Sequence, residues 1–225
     1  MGDLRSPHEP AHLPPVSRLQ PPASLALASP PCLRSHGGVR VLFVENQDSF
    51  SLNVVESLPV DRGDVLLRPG REVARDLGAL DGIDVVVVGP GPTDPVRAGI
   101  VGVVQAAAGR RLPLLGICLG HQALGRAFGA ELIRVPPVHG KPWAIAFSRS
   151  RLFPSFVGRH IMMRYHSLAL TGIEPPLHVI AQTDDGIVMA IEHEALPMAG
   201  LQFHPDSFAS PRGKELIADF FGAIQ

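Results

Sequence analysis

The stretch from Leu112 to Ala130, LPLLGICLGHQALGRAFGA, leaves a chain few ways to fold. Its first part, Leu112 to Ile117, is a bounded apolar run of buried-strand length. From Leu119 to Phe128 the period changes, and Leu119, Ala123, Ala127 and Phe128 share one helical face. Cys118 therefore stands where a strand turns into a helix, between Gly116 and Gly120. Small neighbours permit a strained turn that lifts one side chain clear of the backbone, as a nucleophile elbow does. A thiol there also meets the free N–H groups and the dipole of a helix start, which favour thiolate. Taken alone, the corner fits a buried structural cysteine equally well. A phosphate-binding glycine loop fits worse, because no Lys-Ser/Thr follows and there is no GxGxxG.

The flanking sequence repeats the strand-then-helix alternation. Strands are predicted over Val39–Val44, Asp64–Arg68 and Asp84–Val88, the last with four consecutive valines, apolar on both faces as a central parallel strand must be. Helices are predicted over Ser49–Leu58, with Asp48 or Ser49 as cap, over Glu72–Leu77, and over Val96–Ala108. The fold class is α/β, a mainly parallel doubly wound sheet flanked by helices. In such a sheet function sits at the carboxyl ends of the strands, where Gly91 and Cys118 both fall. Past Ala130 the predicted strands are short and broken by Pro, Gly and Asp: Glu131–Arg134, Trp143–Phe147, Ile161–Met163, Leu177–Ala181, Ile187–Ile191 and Met198–Phe203. They imply a partly antiparallel extension, closed by a helix over Lys214–Phe221.

Residues 1–38 are a different material, with prolines at 7, 10, 14, 15, 21, 22, 30 and 31 that interrupt any helix. They read as a disordered or extended lead, leaving 39–225 as the folded domain. At 225 residues and 45% hydrophobic, the chain can bury a substantial core. A net charge of -1 gives no electrostatic case for nucleic acid. No apolar run reaches the roughly 20 residues of a membrane span. Cys32 and Cys118 stand in unrelated contexts and form no disulfide framework, which fits a reducing, cytoplasmic setting.

A thiol that attacks an acyl carbon needs a base and a group to orient that base. His204-Pro205-Asp206 follows an apolar strand, with a proline to stiffen the loop and a carboxylate in reach of the outer imidazole nitrogen. Among ten histidines, one His-x-Asp is weak evidence by itself and reads as readily as a solvated turn.

Four motifs together are more specific: Gly116–Gln122 (GICLGHQ), Gly89–Pro92 (GPGP), Tyr165–Leu168 (YHSL) and Gln202–Ser207 (QFHPDS). With His139-Gly140-Lys141 and the opening Val41–Asn53 segment, they resemble the class I, triad-type glutamine amidotransferases, in particular the small subunits of anthranilate and para-aminobenzoate synthases. The resemblance implies a flavodoxin-like sheet and a division of labour. Cys118 is expected as the nucleophile, His204 as base and then acid, and Asp206 as the orienting carboxylate. The N–H groups of Gly91 and Leu119 are expected to form the oxyanion hole, with Pro92 and Thr93 continuing the same loop. Gln122 and the Ser167-Leu168 backbone are expected to hold the amino-acid end of L-glutamine, with Tyr165 and His166 packed beneath. No metal or cofactor is expected in this chain. Magnesium belongs with a chorismate-binding synthase partner, for which the chain has no segment to spare, so it is expected as half of a complex or a piece of a fused enzyme.

Three positions depart from the family pattern. Asp206 stands where the family has Glu, one methylene longer; Thr93 replaces the second glycine of Pro-Gly-Pro-Gly; and Glu45-Asn46-Gln47 replaces Asp-Asn-Tyr. The acceptor pathway (tryptophan, folate or a phenazine-type metabolite) stays open. A γ-glutamyl hydrolase-like enzyme and a non-catalytic scaffold paralogue are the competing classes.

Overall fold

A computed structural model describes residues 38–225, and the expectations for the Pro-rich lead and Cys32 lie outside the described residues. The first half alternates strand and helix: β1 (Val41–Glu45), α1 (Ser51–Val55), β2 (Val65–Pro69), α2 (Gly70–Arg75), β3 (Val85–Val88), α3 (Ile100–Gly109), β4 (Leu114–Ile117) and α4 (Leu119–Ala127). The second half is β5 (Glu131–Phe147), β6 (Gly158–Thr171), β7 (Leu177–Gln182), β8 (Val188–His193), β9 (Met198–Leu201) and α5 (Gly213–Ala223).

One nine-stranded sheet runs in the order β2-β1-β3-β4-β9-β8-β7-β5-β6. The first five are parallel to one another, and β9 to β8 begins the antiparallel part. The parallel portion has the doubly wound order of the flavodoxin-like fold, the last strand of the chain lying beside β4. Alternate residues feed two cores. Val85 and Val87 join Phe43, α1 and α5 on one face; Val86 and Val88 join α2, α3 and α4 on the other. A strand buried on both faces has no room for polar residues, which is why β3 is all valine. No helix among the described residues is long and apolar enough to cross a membrane.

Three local expectations are revised. The first helix is only Ser51–Val55, and Asp48 accepts a hydrogen bond from Phe50 N at 2.8 Å in a turn before it instead of capping it. The third helix starts at Ile100, four residues later than its apolar pattern, because Asp94 accepts from the amides of Val96 and Arg97 and holds them in a turn. Two predicted short strands, Glu131–Arg134 and Trp143–Phe147, are the ends of the single strand β5, and Ile161–Met163 is the centre of β6. Pro136 and Pro137 sit within a register shift between Arg134 and Val138, where the ladder asks for no N–H.

Candidate active site

The strand β4 ends at Ile117, and α4 begins at Leu119. Between them Cys118 takes φ +52° and ψ -97°, a region that costs a non-glycine residue of order 1–3 kcal/mol. The backbone is pinned on both sides of it. Cys118 N donates to Leu201 O at 2.7 Å, and Gln122 N donates to Cys118 O at 3.1 Å to open the helix. Gly120 makes the corner possible: a Cβ there would run into the Val88 carbonyl, so only glycine lets α4 start against the end of β3. Leu119, as the first helical residue, has an N–H that no intrahelical bond uses.

The loop after β3 brings Gly91 to this helix start. A Cβ on Gly91 would lie 2.6 Å from Leu119 Cδ2 and 2.8 Å from Asn46 Cβ. Asn46 supports that loop from β1, donating to Val44 O at 3.2 Å and Gly89 O at 3.0 Å. Its role was invisible in the sequence, since a buried asparagine carries no pattern until its carbonyl partners are known.

His204 follows β9 and is held from β6. Its N donates to Met163 O at 2.9 Å, while Ser210 Oγ donates to His204 O at 2.6 Å and accepts from Met163 N at 2.9 Å. The rings of Phe50 and Tyr165 meet the imidazole edge-on, with centroids 5.6 and 5.3 Å away. On the far side Nδ1 lies 3.5 Å from Asp206 Oδ1, and both side chains are buried. That separation is an ion-pair distance, beyond the roughly 2.7–3.2 Å of a hydrogen bond. Neither Asp206 oxygen has a hydrogen bond among the described residues. A carboxylate on a shorter arm stops short of the ring. Burial works against the imidazolium, but Asp206 and the Cys118 sulfur outweigh it, and the His204 pKa is pushed up to about 10. The imidazole therefore holds its proton at neutral pH, with Asp206 beside it.

A cleft of about 560 Å³ opens over Cys118. Gly91, Pro92 and Thr93 line it from the β3 loop, Cys118 and Gln122 from the corner and helix, and Ser167 and Leu168 from β6. Leu119, His204 and Asp206 do not line it; their side chains are buried, Leu119 next to Cys118 in the chain and Asp206 behind the His204 ring. Ser167 and Leu168 belong to β6 at the register shift opposite Pro136 and Pro137, where Leu168 pairs with Arg134 and Ser167 has no partner in the ladder. Arg97, Arg134 and His139 also reach the cleft; His139 stands in the His-Gly-Lys motif without an assigned role, and Arg97 and Arg134 stand in no motif.

Gln202 carried no role of its own in the sequence motif, yet it is fully buried and bonds to the site. Its Nε2 donates to Cys118 Sγ at 3.7 Å, and its Oε1 accepts from Gln122 Nε2 at 3.2 Å. Gln122 Nε2 also approaches Leu168 O at 3.4 Å. The usable signal was a long amide two residues before the histidine, at the end of a strand with no other polar side chain.

Comparison with known proteins identifies the family. The family described as Glutamine amidotransferase class-I matches residues 42–224. An aminodeoxychorismate synthase of Streptomyces griseus is 39% identical over 186 residues, covering 81% of this chain, which spans only 26% of that protein's length. An anthranilate synthase component 2 of Azospirillum brasilense is 36% identical over 196 residues, covering 82% of this chain and 96% of that one. Among solved structures, a glutamine amidotransferase from Thermotoga maritima superposes with a TM-score of 0.61 at 17% identity, over 81% of this chain and 83% of that one. At that identity the likeness is one of fold.

Proposed function

We propose that this chain, which belongs to the class-I glutamine amidotransferases, is the glutaminase half of a chorismate-converting synthase of the anthranilate synthase type. The observation that carries the reading is the buried His204, flanked by Asp206 and Cys118, beneath a cleft whose wall is the Ser167-Leu168 strand.

In this reading the Cys118 thiolate attacks the side-chain amide carbon of L-glutamine. A C–S bond forms, and the C=O pair moves onto oxygen, which the N–H groups of Gly91 and Leu119 receive at the helix start. His204 gives its proton to the amide nitrogen, the C–N bond breaks, and ammonia leaves a γ-glutamyl thioester. His204, now neutral, takes a proton from water, whose oxygen attacks the thioester and releases glutamate. The net change is glutamine plus water to glutamate plus ammonia. Asp206 keeps charge beside Nδ1 throughout. Gln122 and the Ser167-Leu168 backbone meet the amino-acid end, and Pro92 and Thr93 complete the loop beside the oxyanion. Ammonia then passes to a synthase partner that binds chorismate with magnesium; no step above uses the metal. A free Cys118 thiol is consistent with a reducing cytoplasm.

A second reading, with an aminodeoxychorismate-forming partner, draws support from the 39% identity to the Streptomyces griseus protein. Cys118→Ser tests the shared core of both. With a chorismate-binding partner present, synthesis from glutamine should disappear and synthesis from ammonium salts should persist. If glutamine still serves, Cys118 is not the nucleophile. Feeding chorismate and identifying the aminated product separates the two partners.

A further inference from the structure

We propose that His166, which lines the cleft from β6 beside Tyr165 instead of packing beneath it as the sequence suggested, and Arg164 behind it are positioning residues for the amino-acid end of the substrate. They act by fixing which way the Leu168 peptide faces. The proposal rests on the glutaminase reading and deepens it by naming what sets the recognition wall.

Both side chains are almost wholly buried, and their hydrogen bonds leave one arrangement of protons. Arg164 Nε donates to His166 Nε2 at 3.1 Å. A guanidinium can only donate, so Nε2 must accept and the ring's single proton sits on Nδ1. That N–H points at Leu168 O, 2.9 Å away. Protonation would destroy the arrangement, and the surroundings oppose it. Burial, then the Arg164 charge, hold the His166 pKa down at about 4, with His204 adding to the effect and the Leu168 bond opposing it. His121 also stands near, and its own pKa is lowered to about 3, first by burial. The neutral His166 ring thus stands between a second neutral ring, His121, and the His204 imidazole that keeps its proton.

The pair is anchored from outside. The Arg164 guanidinium lies over the face of Trp143 at 4.9 Å, and Trp143 is part-exposed on β5. At the inner end, Leu168 O has two lone pairs. His166 takes one at 2.9 Å and Gln122 approaches the other at 3.4 Å. Because Ser167 and Leu168 line the cleft, the direction of this carbonyl sets the peptide groups that meet a ligand there. A histidine that merely filled space would need neither a forced tautomer nor a carbonyl shared with a cleft residue.

The test alkylates Cys118 in the full chain with two electrophiles. 6-Diazo-5-oxo-L-norleucine carries the amino-acid end of glutamine, whereas iodoacetamide asks only for a reactive sulfur. His166→Asn keeps an N–H near the Nδ1 position and gives up the acceptor for Arg164. His166→Gln keeps an acceptor near Nε2 and gives up the donor to Leu168 O. The ratio of the two alkylation rates should stay within about threefold of the parent in His166→Asn and fall by about tenfold or more in His166→Gln. Equal ratios in the two variants, or the opposite order, overturn the proposal. Arg164→Met provides a reading with His166 intact: its ratio should fall by about threefold to tenfold, and no change sinks the idea. A parent chain that iodoacetamide labels and the glutamine analogue does not would remove the glutaminase reading, and this inference with it.

Discussion

The two halves of the sheet hold their share of the site by different means. In the parallel half the proposed reacting groups are placed by main chain: Cys118 by a corner that Gly120 permits, and Gly91 by being wedged between Leu119 and Asn46. In the antiparallel half the proposed recognition wall is placed by side chains, through the run Trp143, Arg164, His166, Leu168. Main-chain placement leaves little slack, because one added carbon meets backbone or core. Side-chain placement gives way by degrees. Changes in the first half should therefore strike turnover hard, and changes in the second should grade the affinity for glutamine.

The sharpest way to break that contrast is Gly91→Ala. The new Cβ must displace Leu119 or Asn46, carrying the proposed oxyanion donor with it, and kcat for glutamine hydrolysis should fall by about 10²–10³. A fall under about threefold would mean that the loop yields as readily as a side chain does.

Asp206 is the next largest, and it lies on the boundary between the halves. Its carboxylate acts on His204 across 3.5 Å, by charge more than by a hydrogen bond. Asp206→Asn should cost about tenfold to a hundredfold in kcat, less than a well-made orienting bond. It should also move the alkaline limb of the pH profile from about 10 toward the ordinary imidazole value of 6.5. The sign of the stability effect follows. His204 has a folded pKa above its unfolded one, so its contribution is complete below about pH 6.5 and is lost as pH rises through about 10. Parent melting temperatures should fall over that interval more than those of Asp206→Asn. Asp206→Glu should leave turnover level or raise it, and a large fall would show a pocket rebuilt around the shorter acid.

The smallest expected effect is at the surface. Trp143→Ala removes the face over Arg164 and should raise KM for glutamine by about twofold, with kcat unchanged. A matching drop in kcat would erase the distinction between the halves.

Most of this arrangement was legible in the sequence, for reasons that can be given residue by residue. A four-valine strand, a glycine-flanked cysteine and a strand-to-helix change of period are local signals, and they located β3, β4, α4 and the corner. The doubly wound order followed because few topologies satisfy that alternation. What escaped depends on partners distant in the chain. Gln202 is 84 residues from the sulfur it donates to, and Asn46 is 43 from Gly89. Bulges that carry Pro136 and Pro137 through β5 let one long strand look like two short ones. His166 sat in a recognisable motif, but nothing in its neighbours' names reveals that Arg164 selects its tautomer.

The φ of +52° at Cys118 bears on whether such a chain could be an idle relative of an enzyme. A glycine would relax that peptide, and random substitution in an unemployed domain drifts toward whatever relieves strain. An awkward posture endures where something opposes its release, and at position 118 the one thing lost with glycine is the sulfur. On the proposed reading, that sulfur is what the strained corner serves.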